Sequence, residues 1–142
     1  MVRLSDWKEY WNSIVTRIPS LKGVHFVTEE ADIKDKVLDI GKKEMPFLLV
    51  VTPSAKSSGE QDSFRENNLC LTYILSKEDA YSYTTFEMQE ILQPIMEDVK
   101  EMMINDKEGC GIMRDLDLST LHTDPEKKLF TKLTGWSLSF TI

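Results

Sequence analysis

The N-terminal segment carries the first clear amphipathic pattern of the chain. Apolar residues recur there at steps of three and four positions, which places them on one face of a helix. They are Leu4, Trp7, Trp11, Ile14, Val15 and Ile18. Asp6 can cap this helix, and Pro19 ends it. With Tyr10 as a third large ring near the apolar face, the stripe is either part of the core or a surface that docks on a protein partner.

Three segments follow that predict a strand, a helix and a second strand. Residues 24–27 are compatible with a short strand. Residues 29–40 predict a helix in which Ile33, Val37 and Ile40 share one face, with Gly41 where a C-terminal cap is expected. Residues 47–51 are five consecutive apolar residues between two prolines, which indicates a strand covered on both faces.

The middle of the chain predicts a loop, a strand and a long helix. Residues 54–61 are small and polar without periodicity, so we expect a mobile loop at a hairpin tip. Residues 68–76 predict a strand by their alternating pattern. Thr84 and Glu87 form a capping-box pair at the start of the helix, and Pro94 inside it predicts a kink. Its expected buried stripe is Met88, Ile91, Leu92, Ile95, Val99 and Met102.

The C-terminal part predicts two strands, over residues 112–121 and 135–142, with a turn-rich stretch over 122–128 between them. The last strand alternates cleanly between apolar and polar positions. The order of elements predicts one α+β domain over residues 1–142. We expect a two-layer sandwich in which helices pack on one face of a mixed or antiparallel sheet of about five strands.

Composition narrows the classes of function. The 142 residues carry a formal net charge of −7, which argues against the phosphate backbone of DNA or RNA as a main ligand. The longest apolar run is far shorter than the roughly 20 residues of a membrane helix. The first residues lack the apolar core of a signal peptide, so we expect a cytoplasmic protein without membrane contact.

Few residues of the sequence suggest catalysis or the binding of a metal or cofactor. Cys70 and Cys110 lack zinc-site spacing, and we expect both to be reduced. Asp115 and Asp117 flank Leu116 in a predicted strand, so their carboxylates would share one face. They could hold Mg²⁺ or Ca²⁺ there, although a solvated strand face is the simpler interpretation. The chain has no nucleophile elbow and no phosphate-binding glycine motif. We therefore predict no catalytic, metal-binding or cofactor-binding residues and no enzymatic activity.

Two parts of the sequence resemble a known class of proteins. Residues 129–142, which include Gly135 and Trp136, are similar to the C-terminal ending of phage and prophage structural proteins from Bacteroidetes-type genomes. Residues 68–76 and the helix that begins near Thr84 resemble the strand and long helix at the core of small tail-completion proteins. These proteins form the tail-terminator or head–tail joining class of tailed bacteriophages.

The resemblance implies a structural virion protein without catalytic residues or cofactors. Such a subunit assembles with copies of itself into a ring, expected to be hexameric, and contacts tail-tube and head-connector proteins. It would reside in the virion tail or neck after assembly in the host cytoplasm, without sequence-specific nucleic-acid binding. DNA must slide through the ring, which favours an acidic lumen. The candidate lumen residues are Glu60, Asp62, Glu66, Asp115 and Asp117.

A cytoplasmic protein-binding adaptor is the alternative function. Its anchor would be the aromatic helix, with Trp7, Tyr10 and Trp11 at the interface. A ring is a closed homo-oligomer, whereas an adaptor forms a small complex with a different protein. Stoichiometry therefore distinguishes the two functions.

Overall fold

The computed structural model describes residues 1–28, 30–77, 83–129 and 132–142, which together contain three α-helices and six β-strands. The helices are α1 (Leu4–Arg17), α2 (Glu30–Asp39) and α3 (Thr85–Asp106). The strands are β1 (Val24–Val27), β2 (Phe47–Val51), β3 (Ser54–Ser58), β4 (Arg65–Lys77), β5 (Asp117–Leu129) and β6 (Leu133–Thr141). Short 3-10 helices span Lys42–Glu44 and Ile112–Asp115.

The strands form one mixed sheet in the order β1-β2-β4-β6-β5. β1 and β2 are parallel, and all other neighbours are antiparallel. β4 is long enough to pair with β3 through its first residues, with β2 through its later residues, and with β6 along its other side. This arrangement confirms the predicted α+β fold.

Apolar side chains on one face of the sheet pack against α1 and α3. Leu48, Ile74 and Phe140 come from three neighbouring strands and lie in the same buried cluster as residues of both helices. The predicted packing of helices on one face is therefore confirmed for α1 and α3. The alternate strand positions point to the other side, where Ile33 of α2 and Ile40, the residue after this helix, join a second, smaller cluster. The side chain of Val37 lies outside the described part of the chain.

The ends of the long helices follow the predictions with one difference. Thr84 and Glu87 form the predicted capping box, with Glu87 N donating to Thr84 Oγ1 at 3.2 Å and Thr84 N donating to Glu87 Oε2 at 2.8 Å. Helix α3 runs through Pro94. Helix α1 begins one turn earlier than predicted, so Asp6 lies in its first turn and not at the cap. A carboxylate there is still favourable because it faces the positive end of the helix dipole.

The predicted loop over residues 54–61 is wrong in its first part. Residues 54–58 form strand β3, which pairs with the beginning of β4. All five side chains are exposed, so no apolar alternation marks the strand. The remaining turn contains Gly59 with φ 102°, a left-handed conformation that favours glycine.

The C-terminal half also differs from the prediction. Residues 112–115 form a 3-10 helix instead of a strand, and β5 continues through the segment predicted to be turn-rich. Pro125 lies opposite Trp136 within this strand. It is tolerated because β5 is the edge of the sheet, where a missing N–H need not disrupt a ladder on both sides.

Gly135 provides a test of how closely β6 approaches β4. A Cβ atom added there would lie 1.9 Å from the carbonyl oxygen of Ile74. We expect Gly135→Ala to lower the free energy of unfolding by about 1–3 kcal/mol or more, because backbone must move to accommodate it. Gly23→Ala is the matched control, since a Cβ at Gly23 meets nothing within 4 Å. Denaturant unfolding measures both; equal effects would contradict the close approach.

Candidate functional site

The five acidic residues proposed for a lumen lie at the same end of the sheet. At this end β3 and β6 finish while β4 and β5 begin, because Ser58 pairs with Arg65 and Asp117 pairs with Thr141. We call these carboxylates the acidic rim. It consists of Glu60, Asp62, Glu66, Asp115 and Asp117. Two stretches far apart in sequence thus contribute to a single region of the surface.

Glu66 and Asp115 line a shared cleft of about 640 Å³ at this end of the sheet. Arg3 and Arg65 line the same cleft, so its charge is mixed. The backbone nitrogen of Met1 contacts the Glu66 carboxylate. Glu60 and Asp62 lie outside the cleft, in the exposed turn between β3 and β4. The negative charges of Glu60 and Asp62 are therefore offset less by the basic residues of the cleft than those of Glu66 and Asp115.

Asn68 closes the inner wall of this cleft. Its side-chain Oδ1 accepts a hydrogen bond from Val2 N at 3.1 Å, and its Nδ2 donates to Ile142 O at 3.1 Å. Its backbone also exchanges hydrogen bonds with Ile142. One buried amide thus connects β4 to segments near both ends of the sequence, and its polar atoms are satisfied despite burial.

Asp115 and Asp117 do not form a metal-binding pair on one strand face. The predicted placement of both residues in one strand is wrong, because Asp115 belongs to the 3-10 helix and only Asp117 lies in β5. Asp117 Oδ1 accepts hydrogen bonds from Ser119 N at 3.0 Å and Ser119 Oγ at 2.6 Å, which lower the pKa of this carboxyl. Among the described residues, no group of three or more histidine, cysteine and carboxylate side chains could hold a metal ion.

The aromatic residues of α1 belong to the core. Trp7 and Trp11 are 2% and 0% exposed, and their ring centroids lie 6.2 and 6.3 Å from that of Phe140 in β6. The two indoles contact each other edge to face at 5.5 Å. The core interpretation of the stripe is therefore confirmed for these two residues. Their rings are not accessible to a partner while α1 lies on the sheet.

Tyr10 forms a polar contact between α1 and the end of α3. Its hydroxyl donates to Asp106 Oδ2 at 3.0 Å, and the Arg17 guanidinium donates to both oxygens of the same carboxylate at 2.8 and 3.2 Å. The hydrogen bond from Arg17 is the main reason that the pKa of Asp106 lies below its usual value. Burial, reinforced by the Asp106 charge, raises the pKa of Tyr10. Sequence reasoning missed this cluster because its members are distant along the chain.

A second concave region, the α3 groove, has a volume of about 440 Å³. Its walls are mainly apolar and come from α3, the loop before β2, and the end of β4. The apolar residues among the described lining are Pro46, Met88, Ile91, Leu92, Pro94 and Ile95, and Ser20 and Tyr83 also contribute to the walls. Asp98 is the one carboxylate among the described lining residues, and Ser76 contributes a hydroxyl that makes no hydrogen bond within the described ranges.

Ile91 marks a correction to the predicted buried stripe. It is 46% exposed at the groove, whereas its neighbour Leu92 is buried. The helical spacing correctly assigned Ile91 to the apolar side of α3. It could not reveal that this position borders a groove, since the groove is formed by residues from several segments of the chain.

The Gly135-Trp136 pair, which contributes to the sequence resemblance, has a structural role in this chain. Gly135 permits the close approach of β6 to Ile74 of β4. Trp136 packs against the core beside α3 and donates its indole N–H to Gln89 O at 2.9 Å. The pair therefore joins the last strand both to its neighbour and to the long helix.

Both cysteines are free, in agreement with the prediction. Burial raises the pKa of the Cys70 thiol to about 12, so it stays protonated at neutral pH. Cys110 is exposed in the turn after α3.

Comparison with known proteins returns no family: no protein-family model matches the chain, and no curated protein matches it. No helix in the described ranges is long and apolar enough to cross a membrane.

The contact between Asp106 and α1 predicts a pH-dependent stability. The folded-state pKa of Asp106 lies below its usual value of 3.8. The ionised carboxylate therefore adds to the free energy of unfolding above pH 3.8, and this contribution declines as the pH falls below that value. We expect Asp106→Asn to reduce the free energy of unfolding by about 1 kcal/mol at pH 7. The difference from the wild type should shrink below pH 3.8.

Thermal unfolding across a pH series measures this difference. Glu101→Gln, at an exposed carboxyl on the same helix, controls for the loss of one negative charge. A constant difference between Asp106→Asn and the wild type down to pH 2, far below the usual value of 3.8, would contradict the role of the ionised carboxylate.

Proposed function

We propose that this chain is a structural protein of a phage or prophage particle. In this proposal it is a tail-terminator or tail-completion subunit that assembles as a ring at the head–tail junction. The similarity of residues 129–142 to phage structural proteins suggests the class. The acidic rim is the observation that carries the proposal, because the topology gathers carboxylates from two separate stretches at one end of the sheet.

An acidic rim suits a passage for DNA. Duplex DNA carries about one negative charge per 1.7 Å of its axis, and clustered basic residues would bind it tightly. In a ring, the rim of each copy repeats around the opening, and the like charges keep the passing DNA from adhering to the wall. Glu60 and Asp62 suit this role best because both are exposed in the turn beyond the cleft.

The adaptor alternative gains less support. It requires Trp7, Tyr10 and Trp11 at a partner interface, yet the two tryptophans are buried against Phe140. A partner could reach them only if α1 left the sheet, which would expose a large apolar area to water. The ring requires no such rearrangement. An adaptor therefore enters here as one outcome of the assembly experiment.

The native mass of the purified chain tests assembly. We expect light scattering across a concentration and Mg²⁺ series to detect a closed species of about six copies, as cyclic symmetry allows. Negative-stain images should show an open centre. A monomer under every condition, together with a defined complex with one other protein, would contradict the ring and support the adaptor.

Charge reversal tests the acidic rim. We expect the double variant Glu60→Lys/Asp62→Lys to fold and assemble normally, because both side chains are exposed. Its purified ring should retain linear duplex DNA at low salt, with an affinity that falls steeply as salt rises. Particles that carry the variant should lose infectivity.

The matched control is Glu101→Lys/Glu108→Lys, which reverses two exposed carboxylates of α3 and the turn after it. The control should bind DNA no better than the wild type. Unchanged infectivity of the rim variant would contradict a lumen position for the rim.

A further inference from the structure

The α3 groove contains a buried polar group that has no partner in the described part of the chain. Ser76 lines the groove and is 1% exposed, and its hydroxyl makes no hydrogen bond there. By strand alternation its side chain points to the same face of the sheet as Ile74, which packs in the cluster that includes α3. Nearly all buried hydroxyls in proteins are hydrogen-bonded, because leaving one unpaired is unfavourable. Ser76 therefore provides the groove with an unused hydrogen-bonding group.

The rest of the groove has the properties of a binding site for a small molecule. Its volume of about 440 Å³ lies within the range of roughly 300–1,000 Å³ that is typical of such sites, which combine apolar walls with a few polar groups. Met88, Ile91 and Ile95 line it at successive turns of α3. Because Ile91 is 46% exposed, this wall is open to a ligand from solvent.

The charges around the groove determine the sign of the ligand. Asp98 lines the groove with an exposed carboxylate, and no lysine, arginine or histidine is among the described lining residues. Within the described helix α3, Lys100 is the one basic residue, and its Nζ lies 3.2 Å from Glu97 Oε2. The carboxylates of Glu90 and Glu101 on the same helix add to the negative potential. These charges favour a cationic ligand and oppose an anionic one.

Two lysines close in sequence to lining residues do not reverse this balance. Lys77 points away from the groove by strand alternation, and its Nζ donates to Ile40 O at 2.8 Å. Lys22 Nζ donates to Pro19 O at 3.2 Å. Both ammonium groups thus bind backbone carbonyls, and Asp98 forms no ion pair within the described part of the chain.

We propose that the α3 groove binds a small organic cation. The apolar body of the ligand lies along α3, its ammonium group lies against Asp98, and a hydroxyl or carbonyl group hydrogen-bonds to Ser76. The inference goes beyond the proposed function and does not depend on it, because the lining residues come from a single copy of the chain.

Three aromatic probes of similar size test the chemistry of the ligand. Tyramine carries an ammonium group and a phenolic hydroxyl, phenethylamine lacks the hydroxyl, and 4-hydroxyphenylpropionate carries a carboxylate in place of the ammonium group. We expect tyramine to bind with a dissociation constant in the millimolar range, as a ligand of about ten non-hydrogen atoms allows. Phenethylamine should bind about 3- to 10-fold more weakly, and the carboxylate should bind the most weakly.

An amide NMR titration measures these affinities and locates the ligand. The shifts should be largest at residues that line the groove, among them Ser76, Ile91 and Ile95. The acidic rim lies at the other end of β4, so its amides serve as the internal reference for non-specific binding of a cation.

Ser76→Ala tests the hydrogen bond. It should weaken tyramine binding about 3- to 10-fold and leave phenethylamine binding unchanged. It should not lower the free energy of unfolding, because the hydroxyl has no hydrogen bond to lose. Ser137→Ala is the matched control, since Ser137 is 6% exposed, donates to Glu126 Oε1 at 2.8 Å and does not line the groove. The control should lower stability and leave the affinity for tyramine unchanged.

Asp98→Lys tests the charge. It should reverse the preference, so that 4-hydroxyphenylpropionate binds more tightly than tyramine. Glu101→Lys makes the same change in net charge about one turn beyond Asp98, which is the last lining residue of α3. This control should keep the wild-type order of the probes.

The outcomes separate this inference from the proposed function. Saturable shifts at the lining residues, with tyramine binding most tightly, would support the site. An absence of saturable shifts there up to about 50 mM tyramine would overturn it. Equal affinities of the three probes, or an unchanged preference in Asp98→Lys, would overturn it as well. Failure of the site leaves the proposed ring unaffected, and a monomeric chain that binds tyramine in the groove would contradict only the ring.

Discussion

The pairing of β4 with β6 is the constraint on which the rest of the structure depends. Nine consecutive residue pairs join these strands, from Leu69 opposite Thr141 to Lys77 opposite Leu133. Both apolar clusters take side chains from both strands. Because strand side chains alternate with a period of two, a shift of one residue would exchange the two faces and disrupt both clusters together. Gly135 secures this register, since only glycine fits against Ile74 at that distance.

The same register builds the candidate site. Asn68 lies opposite Ile142 just beyond the ladder, and its amide bonds bring the residues around Val2 to the end of the sheet. This end also receives the start of β5, so the carboxylates of the β3–β4 turn and of residues 115–117 lie at the same end of the sheet, and Glu66 of β4 shares a cleft with Asp115. The acidic rim requires no special local conformation. It follows from where strands β3 and β6 end and where β4 and β5 begin.

Local patterns predicted the elements whose burial is one-sided or complete. Helix α1 follows from the spacing of Trp7, Trp11 and Ile14, and β2 follows from its continuous apolar run. Strand β3 and the part of β5 beyond residue 121 were not predicted because neighbouring strands, and not their own side chains, specify them. The residues of β3 are all exposed, and β5 accommodates Pro125 only because it is an edge strand. In both cases hydrogen bonding to an adjacent strand outweighs weak or unfavourable local preference.

The sequence predicted some residues of the candidate site but not how they are arranged in space. The acidic residues were visible in the sequence, and their proximity was not, because it depends on strand order. The α3 groove and the Tyr10–Asp106–Arg17 cluster join residues from distant segments. No spacing rule connects such residues before the fold is known. Ile91 shows the limit clearly, since it lies on the apolar side of α3 as predicted while its side chain is 46% exposed at the groove.

The burial of the α1 aromatics also removes the apolar face of this helix from the surface of the protein. The apolar face of α1 covers the sheet, where Trp7 and Trp11 pack against Phe140. The large apolar side chains that stay exposed are single residues on several elements, among them Phe64 in the β3–β4 turn, Leu69 in β4 and Phe86 on α3. Singly exposed apolar residues are ordinary on protein surfaces. The apolar pattern of α1 is therefore accounted for by the core, and the carboxylates at the end of the sheet are left as the feature that the core does not explain.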